Sequence, residues 1–489
     1  MLPLLIGLLI GAGPLLRGAW DLWAQSLLFL AVAAGFAFWL LGRLLVGYLP
    51  LPSRRNLLWM GALGAASALS AAASPVWAYA LPSWRSLLLG LWLFPAISAV
   101  SKDERAAIDE AIRVSAWIMV LLAFYQHFSQ GLERPPATFL NQNAFAGTIL
   151  MLLPLSVQKR DWLLAAGLLV VLWWSRSVGA WLGVAGALML TRRSAGTAAY
   201  WLGAGIGFVC LVALYAKLQS PDVLHRWQWW EAAFAMVSDR PWLGFGPGAF
   251  AHVLAAYQDP VRGLSTSYAH QHFLETAAEC GLPYLALWCA GLLHCLRRGG
   301  AHKRFGALAI LIQSLWDYAL SIPANFWLFC YFAASSISES SRGINLPARL
   351  KFPCALLTLG LASLVLRAPW ERWEADRLKA RAIERYRDGG SASGVLSLLE
   401  GSLRLAQDPE AARLAAEMEL IRRNPRAAAT RLERAAALNP YRASQWSALE
   451  RIYLQLGEPE LARRKRRQGA AFCPVLRAVP PSPPGAGGP

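Results

Sequence analysis

The residues best able to do chemistry gather between His225 and Gly281, in HRWQWWEAAFAMVSDRPWLGFGPGAF, a variable run, and YAHQHFLETAAECG. This is the longest polar interruption in the apolar part of the chain. It holds four of the seven histidines, His225, His252, His270 and His272, together with Arg226, Arg240 and Arg262. Ionisable groups kept between membrane-type segments point to an active site. His270 stands just before an apolar run, where it faces water and substrate together, and neutral imidazole near pH 7 can accept a proton from a hydroxyl. His272 falls inside the following helix, on a face with Glu275 or Thr276. Arg176, in WWSRSVGAWLG, reads either as a snorkelling arginine at a helix end or as an outward guanidinium for an anion such as a diphosphate. Arg226 lies on an amphipathic interfacial helix, where binding of lipid headgroups is the plain alternative to a site role. Asp317, in QSLWDYALSIPANFW, is expected as a nearly solitary acid within the spans, either a proton relay or a partner for an outer arginine.

Other chemistries lack their signatures. No DxD pair suggests a metal–nucleotide site, and neither a GxxxxGK[ST] phosphate loop nor a GxSxG elbow occurs. The seven cysteines form no CxxC or metal-ligand spacing. No metal and no cofactor is expected.

The elements that must position these residues are membrane helices. Of 489 residues 56% are hydrophobic and only 16% charged, against roughly a quarter charged in soluble proteins. Apolar runs near 2–16, 20–42, 57–73, 82–100, 111–128, 139–157, 161–175, 177–191, 198–216, 272–295, 305–320, 324–338 and 351–366 are candidate spans, about 12–13 in all. The net charge of +18 does not mark a nucleic-acid binder, because the basic residues cluster in alternate connections, as at Arg54/Arg55, Lys159/Arg160 and Arg297/Arg298. The opposite connections hold only Arg17, Arg85, Arg134 and Arg176. The positive-inside rule then puts the N-terminus in the cytoplasm and the 217–271 loop outside, and an odd number of spans puts the C-terminal domain outside as well. The helix carrying Arg226 should end near Asp239-Arg240-Pro241, followed by a tight GFGPG turn.

After Arg367 the composition turns Arg-, Glu- and Ala-rich. The segment RLERAAALNPYRASQWSALERIYLQLGEPELARRKRRQ looks like a tetratricopeptide repeat with its ~34-residue period, and a looser copy precedes it. Such helix pairs can bind a protein partner or merely pack on the membrane portion. The domain reading is therefore 1–369 for the membrane part, 370–473 for the repeats and 474–489 for a Pro/Gly-rich disordered end.

Several short patterns, taken in order, resemble the O-antigen ligase and O-antigen polymerase family. They are RPPATFLNQNAFAG with Asn141 and Asn143, SRSVGAWLG, the Arg226 helix with its glycine turn, YAHQHFLETAAECGLPYL, and WDYALSIPAN. Gln271 replaces the family's usual asparagine after the histidine, and Gln142 stands where proline is common. The resemblance implies an all-α, polytopic helical bundle of the GT-C-like type. It implies a bacterial inner-membrane glycosyltransferase acting on an undecaprenyl-diphosphate-linked glycan at the periplasmic face, without a metal and with inversion. Carried over by position, Arg176 and Arg226 would hold the diphosphate and His270 would activate the acceptor hydroxyl. Asn141, Asn143, Arg240, Gln271, His272 and Asp317 would be secondary site residues. Ligase and polymerase share these motifs, and a protein O-oligosaccharyltransferase is also compatible. A lipid-linked glycan flippase is the reading from another class; it would expect charges lining a path at mid-membrane.

Overall fold

The computed structural model describes residues 1–52, 54–216, 221–258, 266–298, 301–337, 342–473 and 476; Arg262 and nearly all of the 474–489 tail lie outside the described residues. The chain is all-α apart from a short ribbon pairing Tyr48–Leu51 with Arg342–Asn345. A helix stands at each expected span. Before the loop come α1 (Leu2–Leu15), α2 (Leu22–Val46), α3 (Arg54–Ala72), α4 (Trp77–Ser98), α5 (Lys102–Gln130), α6 (Gln142–Gln158), α7 (Trp162–Ser175), α8 (Val178–Leu190) and α9 (Arg192–Ala216). Helix α10 (Pro221–Asp239) lies in the loop, and α11 (His272–Arg298), α12 (Ala301–Gln313), α13 (Pro323–Ile337) and α14 (Ala348–Arg387) follow. Among the described residues, 5 helices are long and apolar enough to cross a membrane: α2, α4, residues 196–216 of α9, α11 and α14. Helices α9 and α14 turn much of their apolar surface outward, with Phe208 and Leu364 both 69% exposed, as lipid-facing helices do.

The 305–320 region departs from expectation. Helix α12 stops at Gln313 and α13 begins only at Pro323, so Asp317 sits in a turn between helices and not inside a span. The irregular backbone survives at this depth because its polar groups find partners elsewhere. His272 N donates to Ser314 O at 2.9 Å, and the Asn325 amide donates to Ala319 O and Ala144 O while accepting from Thr148 Oγ1. Nor is Asp317 nearly alone, since Glu275 is buried within α11 and Glu279 lies one turn further along.

Helix α14 runs 40 residues, about 60 Å at ~1.5 Å per residue. It packs along α2 and continues past Arg367 to the C-terminal helices. There α15 (Ala392–Leu405), α16 (Pro409–Ile421), α17 (Pro425–Leu438), α18 (Ala443–Gln455) and α19 (Pro459–Phe472) pack each on the next. Two of these helices start on Asp408-Pro409 and Asn424-Pro425, where the first residue caps and the proline occupies a position whose N–H would go unused.

Asp408 also joins the stack to α14. It is buried against Arg372 at 3.3 Å and Lys379 at 2.7 Å. Burial pushes its carboxyl up, but Lys379 and Arg372 together outweigh this and hold it below the usual carboxylate range. Asp408→Asn keeps the cap but leaves Arg372 and Lys379 to share Asp376. The expected loss is about 1.5–3 kcal/mol, the worth of hydrogen bonds to charged groups, read as a fall of a few degrees in thermal unfolding. Because the folded pKa is depressed, the wild-type contribution is present above pH ~4 and is lost only as the pH falls through the lower folded value. An unchanged melting temperature in Asp408→Asn would refute the assignment.

The stack sits on the loop end of the bundle. One apolar cluster contains Met236, Phe245, Phe250 and Val253 from the loop and Leu432, Tyr441, Trp446 and Leu449 from the C-terminal helices, with Phe245 edge-on to Tyr441 at 5.6 Å. At this junction His252 stacks on Tyr79 at 3.4 Å. Burial, with Arg442 and Arg372 and against Asp408, lowers His252 to about 4. The folded state thus binds fewer protons than the unfolded one, whose imidazole titrates near ~6.5. Stability is complete above pH ~6.5 and declines as the pH falls toward 4, by about 2 kcal/mol at pH ~5. Thermal unfolding from pH 7 to 5 should show this slope and His252→Phe should flatten it; equal slopes would disprove it.

Candidate active site

Helix α10 ends at Asp239, and the glycines after it wrap the chain back onto α11. Gly244 has φ 63° and a Cβ there would lie 2.3 Å from Glu279 O, so no side chain fits. Phe245 N and Gly246 N donate to the carbonyls of Ala278 and Glu279, and the Glu279 carboxylate accepts from Gly248 N at 2.8 Å and Phe250 N at 3.0 Å. The GFGPG turn is therefore a clamp that fixes α10 against α11.

The clamp brings Arg226 and Trp229, on one face of α10 at i,i+3, to the segment before α11. The His270 ring stacks on Trp229 with centroids 4.8 Å apart and lies edge-on to Tyr318 at 4.6 Å. Its Nδ1 is 3.6 Å from Asp317 Oδ1, and that same oxygen accepts from Tyr318 N at 2.8 Å. The backbone of His270 is left-handed, with φ 55°, a conformation that costs a non-glycine residue about 1–2 kcal/mol and is found where function requires it. Ala269 N, one residue earlier, donates to Glu275 Oε2 at 2.6 Å. Arg226 Nη1 donates to Trp316 O at 2.7 Å, beside Asp317. A histidine, a buried carboxylate and an arginine thus converge from three parts of the chain. With Nδ1 on the aspartate side, Nε2 is left for a hydroxyl. The aspartate and the indole face together hold the ring in one orientation.

The other nominated residues divide. Arg176 (φ 51°) caps the end of α7, in a break pinned by two Arg134 donors on Ser175 O. Its guanidinium meets Glu133 at 3.1 Å with both side chains largely exposed. Such a pair is worth only ~0–1 kcal/mol and yields readily to a stronger anion. Asn141 is the N-cap of α6, its Oδ1 accepting from Asn143 N. Gln271 caps α11 by accepting from Leu274 N. His272 is buried, with Nδ1 3.1 Å from Ser321 Oγ. Arg240 lies away from His270, bonded to Ala73 O and set over the Phe245 ring, where it steadies the clamp.

Sequence reading missed Trp229, Tyr318, Gln313 and Ser314. Gln313 Oε1, Ser314 Oγ and Asn143 Oδ1 are buried without a hydrogen-bond partner, and the Gln313 amide donates to Asn143 O. Orphaned polar atoms in a bundle interior mark a place for a polar ligand. A Gln-Ser pair ending an apolar helix was the available signal. Among the described residues, no cluster of three His, Cys, Asp or Glu could hold a metal ion.

Residues 144–289 match the family described as O-antigen ligase. The chain carries an O-antigen ligase domain. The domain spans Arg176, Arg226, Arg240 and His270 to His272, and the structure adds Asn143 on its N-terminal side and Asp317 beyond it. Its family implies glycosyltransferase-type activity with a lipid-linked glycan donor and an acceptor, in a multi-pass membrane protein. A search of curated proteins finds no match to the chain.

Proposed function

We propose that this protein transfers a glycan from an undecaprenyl-diphosphate carrier to an acceptor hydroxyl at the periplasmic face of the bacterial inner membrane. The observation that carries the reading is the convergence of His270, Asp317 and Arg226 at the loop end of the bundle. His270 Nε2 takes the proton of the acceptor hydroxyl, and Asp317 orients the ring from the Nδ1 side. The acceptor oxygen attacks the anomeric carbon from the face opposite the diphosphate, so the bond to the carrier breaks with inversion. Arg226 and Arg176 stabilise charge on the departing diphosphate. On this reading the loop and the C-terminal helices are periplasmic, and those helices form a tetratricopeptide-like platform for a protein partner or acceptor. Their packing on the loop supports the shared side.

The test is glycan transfer by purified protein in liposomes, with the undecaprenyl-diphosphate-linked oligosaccharide and EDTA present. Lipid A–core, a second lipid-linked repeat and a periplasmic protein are offered as acceptors. Product is expected to survive EDTA, and the acceptor consumed separates ligase, polymerase and protein transferase. Movement of intact lipid across the bilayer with no product would overturn the reading in favour of a flippase.

A further inference from the structure

A second polar compartment lies beside the His270 site, lined on that side by Tyr268, whose ring stacks on Tyr318 at 4.8 Å. It is a cavity of about 160 Å³ between α2, α4, α11 and the start of α13. That is close to the ~150 Å³ cavity known to accept a six-membered benzene ring. Its lining runs along one face of α11, polar at the loop end with His272, Glu275 and Glu279, and aromatic deeper down at Trp288. Two polar atoms in this lining lack any partner, His272 Nε2 and Trp288 Nε1, on side chains 7% and 1% exposed. Gln25 faces them from α2. Donors and carboxylate acceptors around a ring-sized space, with an indole at its base, are what a hydroxylated sugar needs. No Lys or Arg is among the lining residues, so an anionic group placed there would lose its hydration with no cation to offset it.

We propose that this cavity holds a neutral sugar ring of the acceptor, and that it excludes sugars carrying a carboxylate or phosphate. The inference rests on the transferase reading above. The arginines suited to the donor's diphosphate stand outside this lining, Arg226 beside Trp316 and Arg176 at the start of α8. His270 meets the edge of Tyr318, whose ring stacks on Tyr268 in the cavity lining, so the base stands next to this compartment. A donor sugar is the alternative occupant with the same chemistry, and the test separates the two.

The first arm needs no catalysis. Saturation-transfer NMR on the full chain in nanodiscs would use methyl β-glucopyranoside and methyl β-glucuronide, which differ by a carboxylate. The glucoside is expected to bind at least about fivefold more tightly, and Trp288→Phe to weaken the glucoside about 3- to 10-fold, the worth of one hydrogen bond. Absent binding, equal binding of both glycosides, or a Trp288→Phe protein that binds unchanged would overturn the proposal. In the second arm, Trp288→Phe should raise KM for the acceptor by a similar factor while KM for the donor and kcat hold. A rise confined to the donor KM would overturn the acceptor assignment. If transfer itself fails, the transferase reading falls while the glycoside arm still reports on the cavity.

Discussion

Replacing His270 by alanine is expected to lower the rate of glycan transfer about 10²- to 10⁴-fold, the span that one general base contributes. Binding of the lipid-linked donor should change little, because in the proposed function the arginines and not the imidazole hold the diphosphate. The size of the effect follows from how many features serve this ring. Trp229 stacks on it, Tyr318 meets its edge, Asp317 lies 3.6 Å from Nδ1, and its backbone is held left-handed. A separation slightly long for a hydrogen bond is usual before substrate closes a site. Asp317→Asn should therefore cost less than His270→Ala, since it perturbs the orientation of the ring and leaves the base in place. The measurement is single-turnover transfer in liposomes with saturating donor and acceptor. Turnover by His270→Ala within threefold of wild type would remove His270 from the mechanism, whatever becomes of the family assignment.

Arg226→Ala is the second large effect, an expected loss of about 2–4 kcal/mol in the transition state, or ~30- to 1000-fold in kcat/KM. Arg226 spends one donor on Trp316 O, which fixes the guanidinium beside Asp317, and a guanidinium has four more donors to offer. Charge on the diphosphate grows as the glycosidic bond breaks, so the loss should fall mainly on kcat. Lysine should restore little, because a point charge cannot grip two oxygens at once. Steady-state kinetics with the donor varied would check both variants. If Arg226→Lys matched wild type, binding through paired hydrogen bonds would be excluded. If only KM rose in Arg226→Ala, the arginine would serve ground-state binding alone.

The architecture was largely legible in the chain. Runs of about 20 apolar residues are long enough to cross a bilayer as helices, and a helix stands at each expected span, short only at the end of the 305–320 run. The end of α10 at Asp239 follows from the proline two residues on, and the glycine turn from positions such as Gly244 that tolerate no Cβ. His270 and Arg226 could be nominated because ionisable side chains at the edge of a membrane segment need a reason to be there. Such signals are local, carried by residue type and spacing.

What the tertiary structure decided depends on partners distant in sequence. The 305–320 run is apolar enough for a span, yet Asn325, Thr148 and His272 satisfy its backbone from outside and let it unwind. Only that unwinding turns Asp317 from a membrane acid into the neighbour of His270. Trp229 reads as one of many interfacial tryptophans until the glycine clamp lays α10 against α11. The side of the C-terminal helices depended in sequence on the parity of the span count, which one merged helix would reverse. The fold shows instead that these helices pack on the loop, with Phe245 against Tyr441 in a cluster shared by loop and C-terminal helices. Periodicity and composition report how a segment meets water or lipid; which segments meet each other is settled by packing and by the buried polar groups that must find partners.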